Sequence, residues 1–141
     1  MPVRTDTALL ASELRVVLGQ LMRRLRAEPG FPLTQGSVLG RLDRQGAQTT
    51  VALAAAERVR PQSMGQTLSE LETQGLVSRR PDETDGRRTL LELTEEGRRA
   101  LAKDRRRREG WLAEAMETGF TPREQDVLAH AIPLLARLAE I

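Results

Sequence analysis

Residues 76–93 read LVSRRPDETDGRRTLLEL, and whether this stretch is a loose linker or a hairpin decides the fold. From Arg79 to Leu90 every residue but the last is charged, polar, proline or glycine. Leu76-Val77 precedes it, and Thr89-Leu90-Leu91-Glu92-Leu93 follows with the alternation of a strand. A linker would not be flanked by two segments that can pair, so the pattern predicts a two-stranded hairpin with a charged tip.

The segments around the hairpin read as helices. Just upstream, Met64, Leu68 and Leu71 form one apolar stripe on a helix that Pro61 is suited to start, its missing N–H being unpaired there anyway, and that Gly75 is suited to end. Before that, Thr34 opens a short helix (Val38, Leu39, Leu42) ending near Gly46, and Thr49 or Thr50 opens another (Val51, Leu53, Ala54) that runs out before Pro61. Residues 8–27 place Leu10, Leu14, Val17, Leu18, Leu21 and Leu25 at helical spacing and stop at Pro29-Gly30. Downstream, Thr94 with Glu95 and Glu96 starts a helix expected to reach about Glu117. Thr121-Pro122-Arg123-Glu124 then forms a capping box ahead of Val127, Leu128, Ile132, Leu135 and Leu138, with Pro133 expected to kink that last helix.

Composition agrees with a mainly α chain carrying one small β element. The chain has 141 residues, enough for one domain with a single core. Its apolar content is aliphatic, with only Phe31, Phe120 and Trp111 as aromatics. Cysteine is absent, which excludes disulfides, thiolate zinc sites and peroxide sensing by thiol oxidation. No apolar run approaches a membrane span and the N-terminus lacks a signal-peptide apolar region, so the expected location is the cytoplasm, with no membrane partner.

The net charge of +2 is unevenly distributed. Residues 58–108 hold thirteen basic and nine acidic groups, whereas residues 109–141 hold two and six, so the polyanion-facing part is expected in the middle of the chain. Of the 22 basic residues only Lys103 is lysine; arginine's planar fork suits phosphates and guanine edges, although genome base composition produces the same bias.

Three short helices followed by a hairpin make a winged helix-turn-helix, in which the helix after the turn enters the major groove and the hairpin reaches the neighbouring backbone or minor groove. The block Leu68–Leu101, LSELETQGLVSRRPDETDGRRTLLELTEEGRRAL, resembles the MarR-type (multiple antibiotic resistance regulator) transcription factors. The likeness lies in Gly75-Leu76-Val77, in the tip Asp85-Gly86-Arg87-Arg88 and in the join Leu93-Thr94-Glu95-Glu96-Gly97. Element order extends it over nearly the whole chain, although residues 1–60 and 105–141 match in pattern only. The resemblance implies one MarR-type domain over 1–141: a winged lobe at about 34–93, with dimerisation helices at about 8–27 and 94–141. It also implies that the aspartate at Asp85 braces the wing, that Arg87 enters the minor groove, and that a small-molecule effector pocket exists whose ligand nothing here identifies.

Physical reasoning supplies the other candidates. A narrow minor groove concentrates negative potential and favours an inserted guanidinium, which fits Arg87; the bland reading is a solvated turn that collects Asp, Gly and Arg. Opposite the apolar stripe of the proposed recognition helix stand Gln62, Ser63, Gln66 and Thr67, able to hydrogen-bond base edges, with Arg58 and Arg60 just before them. Arg79, Arg80 and Arg88 are auxiliary phosphate contacts. Glu70 and Glu72 are expected too far along the helix to face phosphates. Gly65 either lets the backbone approach DNA or permits tight helix packing. Successive helical residues point about 100° apart, so the run Arg105–Arg108 reads mainly as a solvated face. The apolar stripes Leu10, Leu14, Val17, Leu21 and Val127, Leu128, Leu135, Leu138 exceed what a small lobe covers, which points to a homodimer.

Other function classes find little support. His130 is the only histidine, tyrosine and cysteine are absent, and no phosphate-cradling loop motif occurs, so no enzyme is expected. Asp126 and His130 stand four apart on one helix, but two ligands without a third more often mean an exposed pair; no metal or other cofactor is expected. The sequence is therefore expected to encode a sequence-specific, homodimeric regulator on a roughly palindromic duplex, acting as a repressor. An RNA- or protein-binding adaptor on the same scaffold is the alternative.

Overall fold

A computed structural model describes residues 4–141. The elements run α1 (Thr7–Ala27), α2 (Leu33–Gln45), α3 (Thr50–Glu57), α4 (Pro61–Thr73), β1 (Val77–Pro81), β2 (Thr89–Leu93), α5 (Glu95–Gly119) and α6 (Pro122–Ala139). The chain is therefore mainly helical with one antiparallel pair, in which Val77 faces Leu93 and Pro81 faces Thr89. It divides into two compact units, one ending at Asp104 and the other running Arg105–Ile141, so α5 begins in the first and continues in the second.

The core of the first unit lies where α2, α3, α4 and the sheet converge. Leu39, Leu53, Leu68, Leu71 and Leu91 are fully buried, and the expected stripe Met64, Leu68 and Leu71 is the inner face of α4. Gly75 adopts φ +76° just after α4, a left-handed conformation that glycine takes without Cβ strain, and so turns the chain into β1.

Thr94 makes the next join. Its hydroxyl accepts from the Gly97 N–H at 3.0 Å, capping α5, and donates to the Gly75 carbonyl at 2.6 Å. Gly97 is buried so tightly that a Cβ there would lie 2.1 Å from the Leu76 carbonyl oxygen. Only glycine lets the start of α5 lie against the start of the hairpin.

In two places the chain departs from what periodicity suggested. The second helix starts at Leu33, with Thr34 inside its first turn: Pro32 in the cap position makes no side-chain cap, and the carboxylate of Asp104 on α5 accepts the Phe31 N–H at 2.9 Å. A tertiary partner has replaced a local cap. The loop between α2 and α3 also joins the sheet, because Gln48 and Leu91 exchange backbone hydrogen bonds of 3.0 and 2.8 Å. The last two helices keep close to their expected bounds, α5 ending at Gly119 and α6 spanning Pro133.

In the second unit, Thr121 and Glu124 form the expected reciprocal capping box, with bonds of 3.2 and 2.9 Å. Gln125 adds a bond to the Met116 carbonyl at 3.0 Å, closing the turn between α5 and α6. No helix among the described residues is long and apolar enough to cross a membrane.

Candidate nucleic-acid interface

The turn between α3 and α4 is set by an unusual residue. Arg58 adopts φ 57°, ψ 41°, the left-handed conformation that closes α3, and Arg60 is extended, so that Pro61 begins α4. Glu57, the last residue of α3, fixes this corner to α2: both its oxygens lie 2.8–2.9 Å from the Ser37 hydroxyl, and one accepts from Arg41 Nε at 3.0 Å. Sequence reading missed this cluster, whose members come from separate helices.

With its apolar stripe buried, α4 turns a polar face outward. Gln62, Ser63 and Gln66 are exposed, as are Arg58 and Arg60 ahead of them. Thr67 is half-buried, and its hydroxyl donates to the Ser63 carbonyl at 3.2 Å. A Cβ built on Gly65 would meet nothing within 4 Å, so packing inside the chain does not require glycine there.

The hairpin tip is organised by two aspartates. Asp85 accepts the Arg87 N–H at 3.1 Å through its carboxylate and the Arg88 N–H at 3.0 Å through its carbonyl, wrapping the chain around Gly86. This is an Asx-type turn, which fixes the backbone around the tip. Asp82, which the sequence did not single out, accepts the Thr84 N–H at 3.0 Å and the Thr84 hydroxyl at 2.8 Å, while its own N–H donates to the Arg88 carbonyl at 2.9 Å. The Thr84 N–H, then its hydroxyl, hold the Asp82 carboxyl below the usual carboxylate range, with a smaller contribution from Arg88. Arg87 and Arg88 are exposed at this tip.

The two arginines at the base of the hairpin are engaged within the protein. Arg79 Nε donates to Glu72 of α4, and Arg80 Nε donates to Glu92 of β2 at 2.9 Å, the latter contact raising the Arg80 pKa. Glu70 accepts from Gln35 Nε2 of α2 at 3.0 Å. Both glutamates of the α4 C-terminal half thus have intramolecular partners. Arg88 and Thr89 also line an open groove with Thr49, Thr50 and Val51, bringing the outer end of β2 beside the first turn of α3.

The dimerisation candidates lie on α1 and α6, which contain no fully buried residue. Leu10, Val17, Leu21, Val127, Leu128 and Leu138 are exposed, and Leu14 and Leu135 are half-buried. In the arginine run, Arg106 and Arg107 are exposed while Arg105 and Arg108 are half-buried, as a helical period demands. His130 Nδ1 lies 3.7 Å from the Asp126 carboxylate and 2.7 Å from its carbonyl, an exposed pair. The described residues contain no cluster of three such side chains suited to a metal ion.

Comparisons with known proteins converge on one family. The MarR family model matches residues 31–89. An HTH-type transcriptional regulator of Mycobacterium tuberculosis is 40% identical over 136 residues, covering 94% of each chain, and one of Mycobacterium leprae is 38% identical over the same span. Among solved structures, a candidate transcriptional regulator of Pseudomonas aeruginosa is 41% identical with a TM-score of 0.79, covering 98% of this chain and 99% of its own. A MarR family protein of Bacillus stearothermophilus shares the fold at a TM-score of 0.80 and 23% identity, covering 99% and 100%.

Proposed function

The chain belongs to the MarR family of helix-turn-helix transcriptional regulators, and from that premise we propose that it binds a pseudo-palindromic duplex operator in the cytoplasm as a homodimeric repressor. The observation that carries this reading is the outward face of α4. Gln62, Ser63 and Gln66 project into solvent beside Arg58 and Arg60, at the end of a turn that Glu57 holds rigid. Amides and hydroxyls on a fixed helix can read base edges, and guanidiniums at its start hold phosphates or guanine.

The hairpin serves as the wing in this proposal. Arg87 enters the minor groove from a turn that Asp85 braces, and Arg79, Arg80 and Arg88 meet phosphates. Thr67 lies at the edge of the reading face. Gly65, whose side-chain position is open, permits close approach of the helix backbone to DNA.

The dimer is supported by the exposed stripes of α1 and α6. Each of these roughly half-exposed apolar side chains forgoes about 1 kcal/mol of further burial, and a second copy of the same helices is the partner that twofold symmetry supplies. On this proposal residues 1–141 act as one MarR-type domain, with 8–27 and 94–141 serving dimerisation. Release by a small-molecule effector belongs to the same family reading.

Fluorescence anisotropy with duplex from upstream of the protein's own gene, a scrambled duplex and an RNA hairpin, at two salt concentrations, tests the proposal. The expected result is a preference for the upstream duplex of at least about a thousandfold, reduced by Arg87→Ala. Equal, steeply salt-dependent binding to all three overturns operator recognition there, and preference for the hairpin favours an RNA adaptor. Light scattering at micromolar concentration should give a dimer mass; a monomer sinks the dimer.

A further inference from the structure

Arg58, in the turn between α3 and α4, has a backbone conformation that disfavours its own side chain. Its φ of 57° and ψ of 41° are left-handed, and among the described residues it is the one non-glycine with positive φ. In that region the Cβ of an L residue crowds the following carbonyl oxygen, a strain that glycine escapes. Just after α2 and α4 the chain also turns through positive φ, and there it carries glycine: Gly46 (φ +79°) and Gly75 (φ +76°). The fold at position 58 therefore asks for a left-handed residue and would be served better by glycine. What Arg58 adds is its side chain, on an exposed residue. Strained residues of this kind cluster at functional sites, where the side chain is needed in spite of the backbone.

We infer that Arg58 is a phosphate-binding residue, whose guanidinium holds the duplex backbone at the edge of the groove that α4 enters, and that this role keeps the turn less stable than glycine would make it. The inference rests on the duplex-DNA reading and decides which of two partners, phosphate or guanine, the arginine takes. In a helix-turn-helix the first helix crosses the sugar–phosphate backbone, and the N-terminal residues of the second reach base edges. Arg58 stands between the two, after α3 and ahead of Pro61, whereas the base-facing side chains begin at Gln62. The turn is also electropositive, because Arg41 answers Glu57 at 3.0 Å and leaves Arg58 and Arg60 as the net charge of 57–61. Its backbone is fixed: the Glu57 carboxylate lies on the Ser37 hydroxyl of α2, and the Arg58 N–H donates to the Ala55 carbonyl at 3.2 Å. A guanidinium on so fixed a Cα loses less freedom when it meets a phosphate than one on a loose loop.

The test uses full-length wild type, Arg58→Gly, Arg58→Ala and Arg58→Lys. Stability is read by circular dichroism melting. Binding is read by anisotropy across a salt series on two duplexes of equal length, one that wild type selects from a random pool and one scrambled. Glycine and alanine both remove the guanidinium, but only glycine relieves the backbone. Arg58→Gly should therefore melt about 2–4 °C above wild type, the relief exceeding what glycine's greater freedom in the unfolded chain takes back, and Arg58→Ala no higher than wild type. Both should bind either duplex about tenfold more weakly, with a log–log salt slope shallower by about 0.9 for each protomer bound. Arg58→Lys, a point charge at the same place, should keep most of the affinity and slope. Arg58→Gly melting no higher than wild type would show that the side chain offsets its strain inside the fold, and that overturns the inference. Unchanged affinity and slope in the glycine and alanine variants overturn it too. A loss confined to the selected duplex and not restored by lysine would make Arg58 a guanine reader and overturn the phosphate assignment. Wild type that binds both duplexes equally would sink operator recognition alone, since the slope still reads the phosphate contact; wild type that binds neither overturns both.

Discussion

The winged lobe and the helices α1 and α6 are built by the same rules and end in opposite conditions. In the lobe, apolar stripes of α2, α3 and α4 converge with the sheet on a closed core, and polar backbone groups at the joins find partners such as Thr94, Asp104 and Glu57. In α1 and α6, stripes of equal regularity bury no residue. The lobe's stripes are satisfied within one chain, whereas those of α1 and α6 stay largely exposed. Amphipathic periodicity therefore predicts a helix well, but does not say whether its apolar face is answered in the same chain or in another.

The largest effect that can break this contrast comes from matched truncations. Leu91→Ala, at a fully buried position that also bridges to Gln48, should cost about 2–5 kcal/mol of lobe stability in denaturant titrations. Leu138→Ala, at a position 56% exposed, should leave the same transition within about 0.5 kcal/mol and instead weaken self-association as concentration falls. Equal losses at both sites would mean that α6 is buried by its own chain.

Gly97→Ala comes next. The new methyl would sit 2.1 Å from the Leu76 carbonyl, so either α5 or the start of the hairpin must move, at about 1–3 kcal/mol. Melting that falls by several degrees, together with weaker duplex binding, is the expected pair of results. A variant as stable as wild type would show that the join between hairpin and helix is more yielding than its packing implies.

A smaller effect sharpens the comparison with one chemical change made twice. Thr94→Ala removes both the cap of α5 and the bond to the Gly75 carbonyl, whereas Thr121→Ala removes only the cap of α6. The first should cost about 1–3 kcal/mol and the second about 1 kcal/mol, with the difference read from urea midpoints.

How much of this was legible in the sequence depended on how local the cause is. The hairpin was legible because its strands alternate and Asp85-Gly86 marks a turn; α4 was legible because Pro61 and Gly75 punctuate it and Met64, Leu68 and Leu71 repeat at helical spacing. The start of α2 was not, because its support comes from Asp104, 73 residues beyond Phe31. A single bridging residue such as Gln48 has no period to detect. At the candidate interface, Gln62, Ser63 and Gln66 were placed correctly on the outer face, but Thr67 stands one turn after Ser63 and bonds back to its carbonyl. Nor could a list of arginines disclose that Arg79 and Arg80 are already paired; that depends on where α4 and β2 lie in space.

The smallest effect concerns the wing alone, whose tip from Glu83 to Thr89 is exposed throughout. Asp82 is held below the usual carboxylate value of 3.8 by the Thr84 N–H and hydroxyl, and by Arg88. A carboxyl whose folded pKa lies below its unfolded one stabilises the folded form above the unfolded value and loses that contribution as pH falls through the folded value. The turn from Asp82 to Arg88 should therefore hold unchanged from neutrality to about pH 4 and loosen only below it. Thr84 amide shifts followed by NMR through an acid titration should show this transition in wild type and lose it in Asp82→Asn, while core amides such as Leu91 stay fixed over the same range. Core and wing amides moving together at one pH would mean that the tip has no separate equilibrium and that Asp82 acts through the whole lobe.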